Sequence, residues 1–116
     1  MGEVGLIHYL IVSALVFGLG ASIVMMRRNS VAVLMGVELV LNASALNFVA
    51  FGRFLEPRPG AVAPGGIAGM AATGQVVGLF VIVAAAAEAA VALAIILNFF
   101  NRYQTIHLDE GSELRQ

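Results

Sequence analysis

The sequence predicts an all-α integral membrane protein with three transmembrane helices. Of its 116 residues, 60% are hydrophobic and only 11% are charged, whereas soluble domains carry about 25% charged residues. Three long apolar stretches can each cross a bilayer, which takes about 20 residues of helix. Backbone polar groups in lipid must be satisfied within their own segment, which favours helices over open strands. Residues 1–116 are therefore expected to form one membrane domain.

Formal charges mark the limits of the three spans. No charge lies between Glu3 and Arg27, so the first span covers about residues 5–26. The second span covers about residues 30–51 and the third about residues 75–100, and each contains a single glutamate. Positive charge follows the first apolar stretch instead of preceding it, so a retained span is expected and not a signal peptide.

The connections between the spans differ in length. Only RRN, residues 27–29, joins the first two spans, so these helices must form an antiparallel hairpin. Residues 52–74 contain all three prolines and several glycines, which end helices, and they are predicted to form an outer loop. The polar residues 101–116 are predicted to leave the membrane as a tail.

The arginines predict the orientation of the chain, because short cytoplasmic flanks carry an excess of positive charge. Arg27, Arg28 and Arg102 lie on one side of the predicted spans. Arg53 and Arg58 lie on the other side. This bias predicts that the N-terminus is outside and that the RRN turn and the C-terminal tail are cytoplasmic.

Several classes of function are disfavoured by composition. The net charge is −1, and no clustered basic face for nucleic acid is present. The chain has no cysteine, which excludes thiol chemistry and thiolate metal sites. His8 and His107 lie near opposite ends of the chain without partners at ligand spacing, so no metal site is expected.

Two glutamates lie inside the predicted spans at similar depth. Glu38 is eight residues after Ser30, about 12 Å along a helix at 1.5 Å per residue. Glu88 is twelve residues before Phe100, about 18 Å from the same side of the membrane. The second and third spans are antiparallel, so both glutamates are expected near mid-membrane, within about one helical turn of each other.

A buried glutamate needs a reason, because an acidic residue at a helix centre costs about 2.5–3.5 kcal/mol on insertion scales. One interpretation is that Glu38 and Glu88 are protonated, hydrogen-bonded packing residues. The other is that they relay protons, because intramembrane ionisable groups typically mark ion or proton pathways and burial disfavours their charged form. Asn42, four residues after Glu38, shares its helix face and is predicted to support the carboxyl group.

Small residues accompany both glutamates. Ala85, Ala89 and Ala92 surround Glu88 at helical spacing, and Ala32, Gly36 and the GLGAS stretch at 18–22 allow helices to approach closely. Ordinary membrane packing is the favoured interpretation of these small residues. Three spans shield two glutamates poorly from lipid, so partner subunits are expected.

The order of these segments resembles a known family. RRN is followed by GVELVLNASALNF, then by GQVVGLFVIVAAAAEAAVALAIIL, and finally by DEGSELR in the tail. This order is similar to subunit K of bacterial respiratory complex I, the proton-pumping NADH:quinone oxidoreductase. The mitochondrial counterpart is the smallest mitochondrially encoded subunit of that enzyme. The resemblance covers nearly the whole chain, and its most specific parts contain the two glutamates.

The resemblance implies three transmembrane helices without a catalytic centre, located in the membrane arm of a translocase in the bacterial plasma membrane. The implied neighbours are the quinone-proximal module, an antiporter-like subunit and the J- and A-type small subunits. NADH, FMN, iron–sulfur clusters and quinone would be bound by partner subunits. Glu38 and Glu88 would relay protons or couple charge, and Arg27 and Arg28 would form the cytoplasmic turn. The loop at 52–74 is longer than this family leads us to expect.

Three other interpretations compete with this one. A small C-type subunit of a multi-subunit cation/proton antiporter has a similar layout, but a glutamate in its second span is not expected. The proton-carrying subunit of a rotary ATPase ring is usually a two-helix hairpin with one essential carboxylate. A purely structural membrane subunit would use its glutamates only for hydrogen bonding.

Overall fold

Three long helices make up the protein in a computed structural model, which describes residues 2–55, 70–107 and 109. They are α1 (Leu6–Met26), α2 (Ser30–Leu55) and α3 (Met70–Tyr103). Each is long and apolar enough to cross a membrane, which confirms the predicted fold class. At 1.5 Å per residue the helices measure about 31, 39 and 51 Å, so α2 and α3 exceed the hydrocarbon thickness of about 30 Å.

The second and third helices extend beyond the predicted spans. Residues 52–55 continue α2 and residues 70–74 begin α3, although both segments fall in the predicted outer loop. Packing accounts for this difference, because a Cβ atom placed on Gly74 would lie 2.8 Å from Gly52 Cα. These two glycines therefore serve as points of close helix contact and do not end their helices. The remainder of the predicted loop, residues 56–69, and the tail at 108 and 110–116 lie outside the described residues.

Helix α2 occupies the centre of the molecule, with α1 against one side and α3 against the other. Gly36 and Ala43 on α2 approach α1, whereas Ala45 and Val49 approach α3. Most large apolar side chains on the outer faces of the helices are exposed. In a chain of this composition, such surfaces face lipid or neighbouring subunits.

The α1–α2 turn is fixed by Asn29. Its side-chain Oδ1 accepts hydrogen bonds from the backbone N–H groups of Val31 at 2.9 Å and Ala32 at 3.3 Å. This is the arrangement of a helix N-cap, in which a side-chain oxygen satisfies N–H groups of the first turn. The asparagine of the RRN sequence thus starts α2 directly after the turn, and the hairpin predicted from this short connection is present.

Candidate functional site

Glu38 lies on the side of α2 that faces α3. Positions seven residues apart nearly share a helix face, because seven residues make almost two full turns. Ala45 and Gly52 follow Glu38 at successive steps of seven, and both contact α3. A Cβ atom on Gly78 would lie 3.4 Å from the carbonyl oxygen of Ala45. Gly74 approaches Gly52 still more closely, so Glu38 belongs to the stripe of α2 that packs on α3.

The same step identifies the residue of α3 opposite Glu38. Gly78 lies against Ala45, and the two helices are antiparallel. Seven residues earlier in α2 is Glu38, and seven residues later in α3 is Ala85, which is only 3% exposed. Glu88 follows Ala85 by three residues, or about 4.5 Å along the helix. The two glutamates therefore lie within about one turn of each other in depth.

One carboxyl oxygen of Glu38 is completely enclosed. The Oε1 atom has almost no accessible surface and no hydrogen-bond partner within the described part of the chain. Buried polar atoms in proteins nearly always have a partner, and an unpaired one costs about 1–3 kcal/mol. The position of the Glu38 carboxyl group is therefore energetically unfavourable within the single chain. An unpaired buried polar group of this kind calls for an explanation, which a functional role would supply.

Glu88 has a different environment. A three-residue step turns a helix by about 300°, which places Glu88 on the flank of the α2-facing stripe that contains Ala85. In the single chain Glu88 is exposed, and Asn42 is exposed as well. No hydrogen bond joins Glu38 to Glu88 or to Asn42 among the described residues. The structure thus brings the two carboxyl groups to similar depth without connecting them.

The arginines of the turn are at the surface. Arg27 is exposed, and Arg28 is exposed while its Nε atom lies 3.1 Å from Asp109 Oδ2. This ion pair links the turn to the C-terminal tail across 81 positions of sequence. Because both side chains are largely accessible to solvent, the pair contributes little to stability by itself.

A second polar group was not singled out from the sequence. Asn47 Oδ1 is buried without a hydrogen-bond partner in the described residues, and Ser13 Oγ donates a hydrogen bond of 2.9 Å to the carbonyl oxygen of Ala43. Both side chains line a groove of about 210 Å³ between α1 and α2, together with Leu10, Ala14, Phe17, Ala43 and Ser44. The sequence offered one signal for this site, namely that Asn47 is a polar residue within an apolar span.

Other sites for chemistry are not apparent in the described residues. Within 2–55, 70–107 and 109, no three histidine, cysteine or acidic side chains cluster closely enough to hold a metal ion. His8 has a structural part, since its Nδ1 atom accepts a hydrogen bond of 3.1 Å from the N–H of Gly5 at the start of α1. His107 pairs through its backbone with Asn29.

Comparison with known proteins gives consistent results over almost the whole chain. Residues 8–116 match the family described as NADH-ubiquinone/plastoquinone oxidoreductase chain 4L. NADH-quinone oxidoreductase subunit K 1 of Koribacter versatilis is 44% identical over 115 residues, covering 99% of both chains. Subunit K of Chlorobaculum tepidum is 40% identical over 98% of this chain and 94% of the relative. Subunit K of Pseudomonas putida strain F1 is 40% identical over 99% of each.

These matches agree with the resemblance that the sequence segments carry. They extend over all three helices and include both glutamates within the matched range. Three helices able to cross a membrane are the architecture observed. The relatives compared above are all named as subunit K of NADH-quinone oxidoreductase. The chain therefore belongs to the NADH-ubiquinone/plastoquinone oxidoreductase chain 4L family.

Proposed function

We propose that the two glutamates within the spans of this complex I membrane subunit relay protons, or couple charge, between the quinone-proximal module and the antiporter-like subunits. Glu38 and Glu88 are the two stations of this relay. The enclosed, unpaired Oε1 of Glu38 carries the proposal. A carboxyl group without an internal partner at membrane depth is available to hold a proton and to pass it to a water or to another side chain.

The positions of the glutamates support a lateral relay that continues into other subunits. Glu38 is half-buried on the face of α2 that packs on α3, with its Oε1 atom enclosed, whereas Glu88 is exposed on the flank of this interface. A carboxyl group exposed at membrane depth requires a neighbouring subunit to cover it, because contact with hydrocarbon is unfavourable. A proton that leaves Glu38 toward Glu88 would thus arrive at a boundary with a partner.

The remaining assignments follow from family membership. The partners are other complex I subunits, and we assign the J- and A-type small subunits and an antiporter-like subunit as neighbours. We assign no catalytic centre to this chain. We assign the binding of NADH, FMN, iron–sulfur clusters and quinone to partner subunits. We place it in the bacterial plasma membrane with Arg27, Arg28 and the C-terminal tail on the cytoplasmic side and the N-terminus outside.

The alternatives are less well supported. A C-type subunit of a cation/proton antiporter fits the three helices, but the family match is to an oxidoreductase subunit over residues 8–116. A purely structural subunit would use Glu38 for hydrogen bonding, yet Oε1 has no partner among the described residues. Replacing Glu38 with glutamine distinguishes a purely structural role from a proton relay.

The test replaces Glu38 with glutamine in membranes that contain the assembled complex. Glu38→Gln keeps the size and polarity of the side chain but removes the proton that can be exchanged. We expect NADH-driven quinone reduction and proton pumping to fall together, because redox turnover stalls when its linked protons cannot move. Native electrophoresis checks that the complex still assembles.

Glu3→Gln is the matched control, because Glu3 is exposed before α1 begins. This control is expected to pump normally. Normal pumping by an assembled Glu38→Gln complex would mean that Glu38 is a packing residue, and the structural interpretation would replace the relay.

A further inference from the structure

The C-terminal tail is tied to the start of α2. The carbonyl oxygen of Ile106 accepts two hydrogen bonds from Ser30, one from its N–H at 3.0 Å and one from its Oγ at 2.6 Å. Next to this pair, Asn29 and His107 form an antiparallel backbone bridge. The Arg28–Asp109 ion pair lies beside it. We call these contacts of residues 28–30 with Ile106, His107 and Asp109 the tail clasp.

A sharp reversal after α3 brings the tail back to this position. Gln104 has a φ of 57°, in the left-handed region that residues other than glycine seldom adopt. Its N–H donates a hydrogen bond of 2.7 Å to the carbonyl oxygen of Phe100, which is the αL arrangement of a helix C-terminus. Its Nε2 atom lies 3.3 Å from the carbonyl oxygens of both Phe100 and Asn101. The side chain thus supports the turn that its backbone makes.

Glycines make the closest described contacts between α2 and α3. Gly74 meets the backbone of Phe48 and Gly52, and Gly78 meets Val49 and Ala45. Contacts of this kind let the two helices pack closely. The tail clasp adds hydrogen bonds, which have a defined length and direction.

We propose that Ser30 is a positioning residue, which through the tail clasp fixes the axial position of α3 against α2. An α-helix is a stiff rod with a constant rise per residue. A displacement of α3 at Tyr103 is therefore carried along the helix to Glu88, fifteen residues away. By holding Ile106, Ser30 sets the depth of Glu88 relative to Glu38. The consequence for proton coupling rests on the relay proposed above, whereas the clasp itself does not.

The first arm of the test measures whether the clasp is closed in the assembled complex. The chain has no cysteine, so Asn29→Cys with His107→Cys introduces a unique pair in this subunit. Residues paired across an antiparallel bridge have Cα atoms about 4.5–5.5 Å apart, within the range that a disulfide spans. After mild oxidation, labelling with N-ethylmaleimide and the intact mass of the subunit report the oxidised fraction.

We expect the double variant to resist labelling and to regain it after reduction, while each single cysteine variant is labelled throughout. Adding Ser30→Ala to the double variant is expected to slow disulfide formation by about 2- to 10-fold, the effect of one lost hydrogen bond. Adding Ser44→Ala is the control, because Ser44 Oγ donates within its own helix to the carbonyl oxygen of Val40. Full labelling of the oxidised double variant, or equal rates with Ser30→Ala and Ser44→Ala, overturns the proposal.

The second arm measures the rate of proton pumping per assembled complex. Ser30→Ala is expected to lower this rate, and Ser30→Thr is expected to restore it, because threonine keeps the hydroxyl donor. A residue needed only for assembly would change the amount of complex and leave the rate per assembled complex unaltered. If Glu38→Gln pumps normally while Ser30→Ala slows the disulfide, the relay fails and the clasp stands. An unchanged rate in Ser30→Ala alongside an impaired Glu38→Gln overturns the positioning role.

Discussion

Gly20 and Gly36 face each other across the α1–α2 interface so closely that neither position has room for a side chain. A Cβ atom on Gly20 would lie 2.7 Å from the carbonyl oxygen of Gly36, and one on Gly36 would lie 2.9 Å from that of Gly20. Backbone atoms of two helices thus meet directly at this crossing, as small residues allow in membranes. The contact sets the distance between α1 and α2 and supports the helix that carries Glu38.

Substituting Gly20→Ala is expected to destabilise the α1–α2 packing by about 1–3 kcal/mol, the usual cost of overfilling a packed interior. The added methyl group meets backbone, which cannot rotate away. The temperature at which the detergent-purified complex loses this subunit measures the effect. Gly18→Ala is the control, because a Cβ atom there has nothing within 4 Å. Equal dissociation temperatures for the two variants would contradict this account of the interface.

On the other side of α2, we expect Gly74→Ala to be more harmful than Gly78→Ala. A Cβ atom on Gly74 would lie 2.5 Å from the carbonyl oxygen of Phe48, whereas one on Gly78 would lie 2.6 Å from Cγ2 of Val49. A side-chain methyl group can move, but a helix carbonyl cannot move without shifting the helix. The complex should therefore lose this subunit at a lower temperature with Gly74→Ala than with Gly78→Ala. The reverse order of dissociation temperatures would argue against the described α2–α3 contact.

Removing the Ser13 hydroxyl should weaken α1–α2 packing modestly. Ser13 is 2% exposed, and its Oγ donates to the carbonyl oxygen of Ala43 on the neighbouring helix. Hydrogen bonds between membrane helices contribute about 0.6 kcal/mol on average and at most about 1.7. Ser13→Ala should therefore lower the dissociation temperature slightly, whereas Ser22→Ala should not. The Ser22 hydroxyl is exposed and bonds only within α1, to the carbonyl oxygen of Gly18.

The two glutamates should act as one unit. If Glu38 and Glu88 are successive stations of one relay, removing either interrupts the same path, and effects of residues acting together are not additive. Glu38→Gln with Glu88→Gln should therefore pump about as slowly as the more affected single variant. The rate of proton pumping per assembled complex in all three variants provides the comparison. Loss in the double variant equal to the product of the single effects would indicate two independent contributions.

Much of the architecture was predictable from the sequence, because membrane insertion depends on length, charge and a fixed helical rise. The charges that bound the first two spans, from Glu3 to Arg27 and from Arg28 to Arg53, and the apolar stretch at 75–100 were enough to define three helices. The similar depth of Glu38 and Glu88 followed from counting residues, since a helix advances by a constant 1.5 Å per residue. The family was also recognisable from the segments around these glutamates, and the comparisons confirm it.

The tertiary structure alone decided which side each residue faces. Helices that are apolar all round carry almost no periodic signal to mark their packed face. Sequence reasoning therefore treated Glu38 and Glu88 alike, although one carboxyl oxygen of the first is enclosed and the second is exposed. For the same reason it named Asn42, which is exposed, and passed over Asn47, whose Oδ1 is buried.

Neighbouring glycines illustrate the same division. Gly18 and Gly20 are equivalent in the GLGAS stretch, yet only Gly20 meets another helix. The tail appeared in the sequence merely as a polar end, and the hydrogen bonds from Ser30 to Ile106 span 76 positions. Composition and spacing fix what must lie in the membrane and how deep it lies, because those depend on local chemistry. Which atoms meet depends on how three helix surfaces fit together, and that is decided only when they pack.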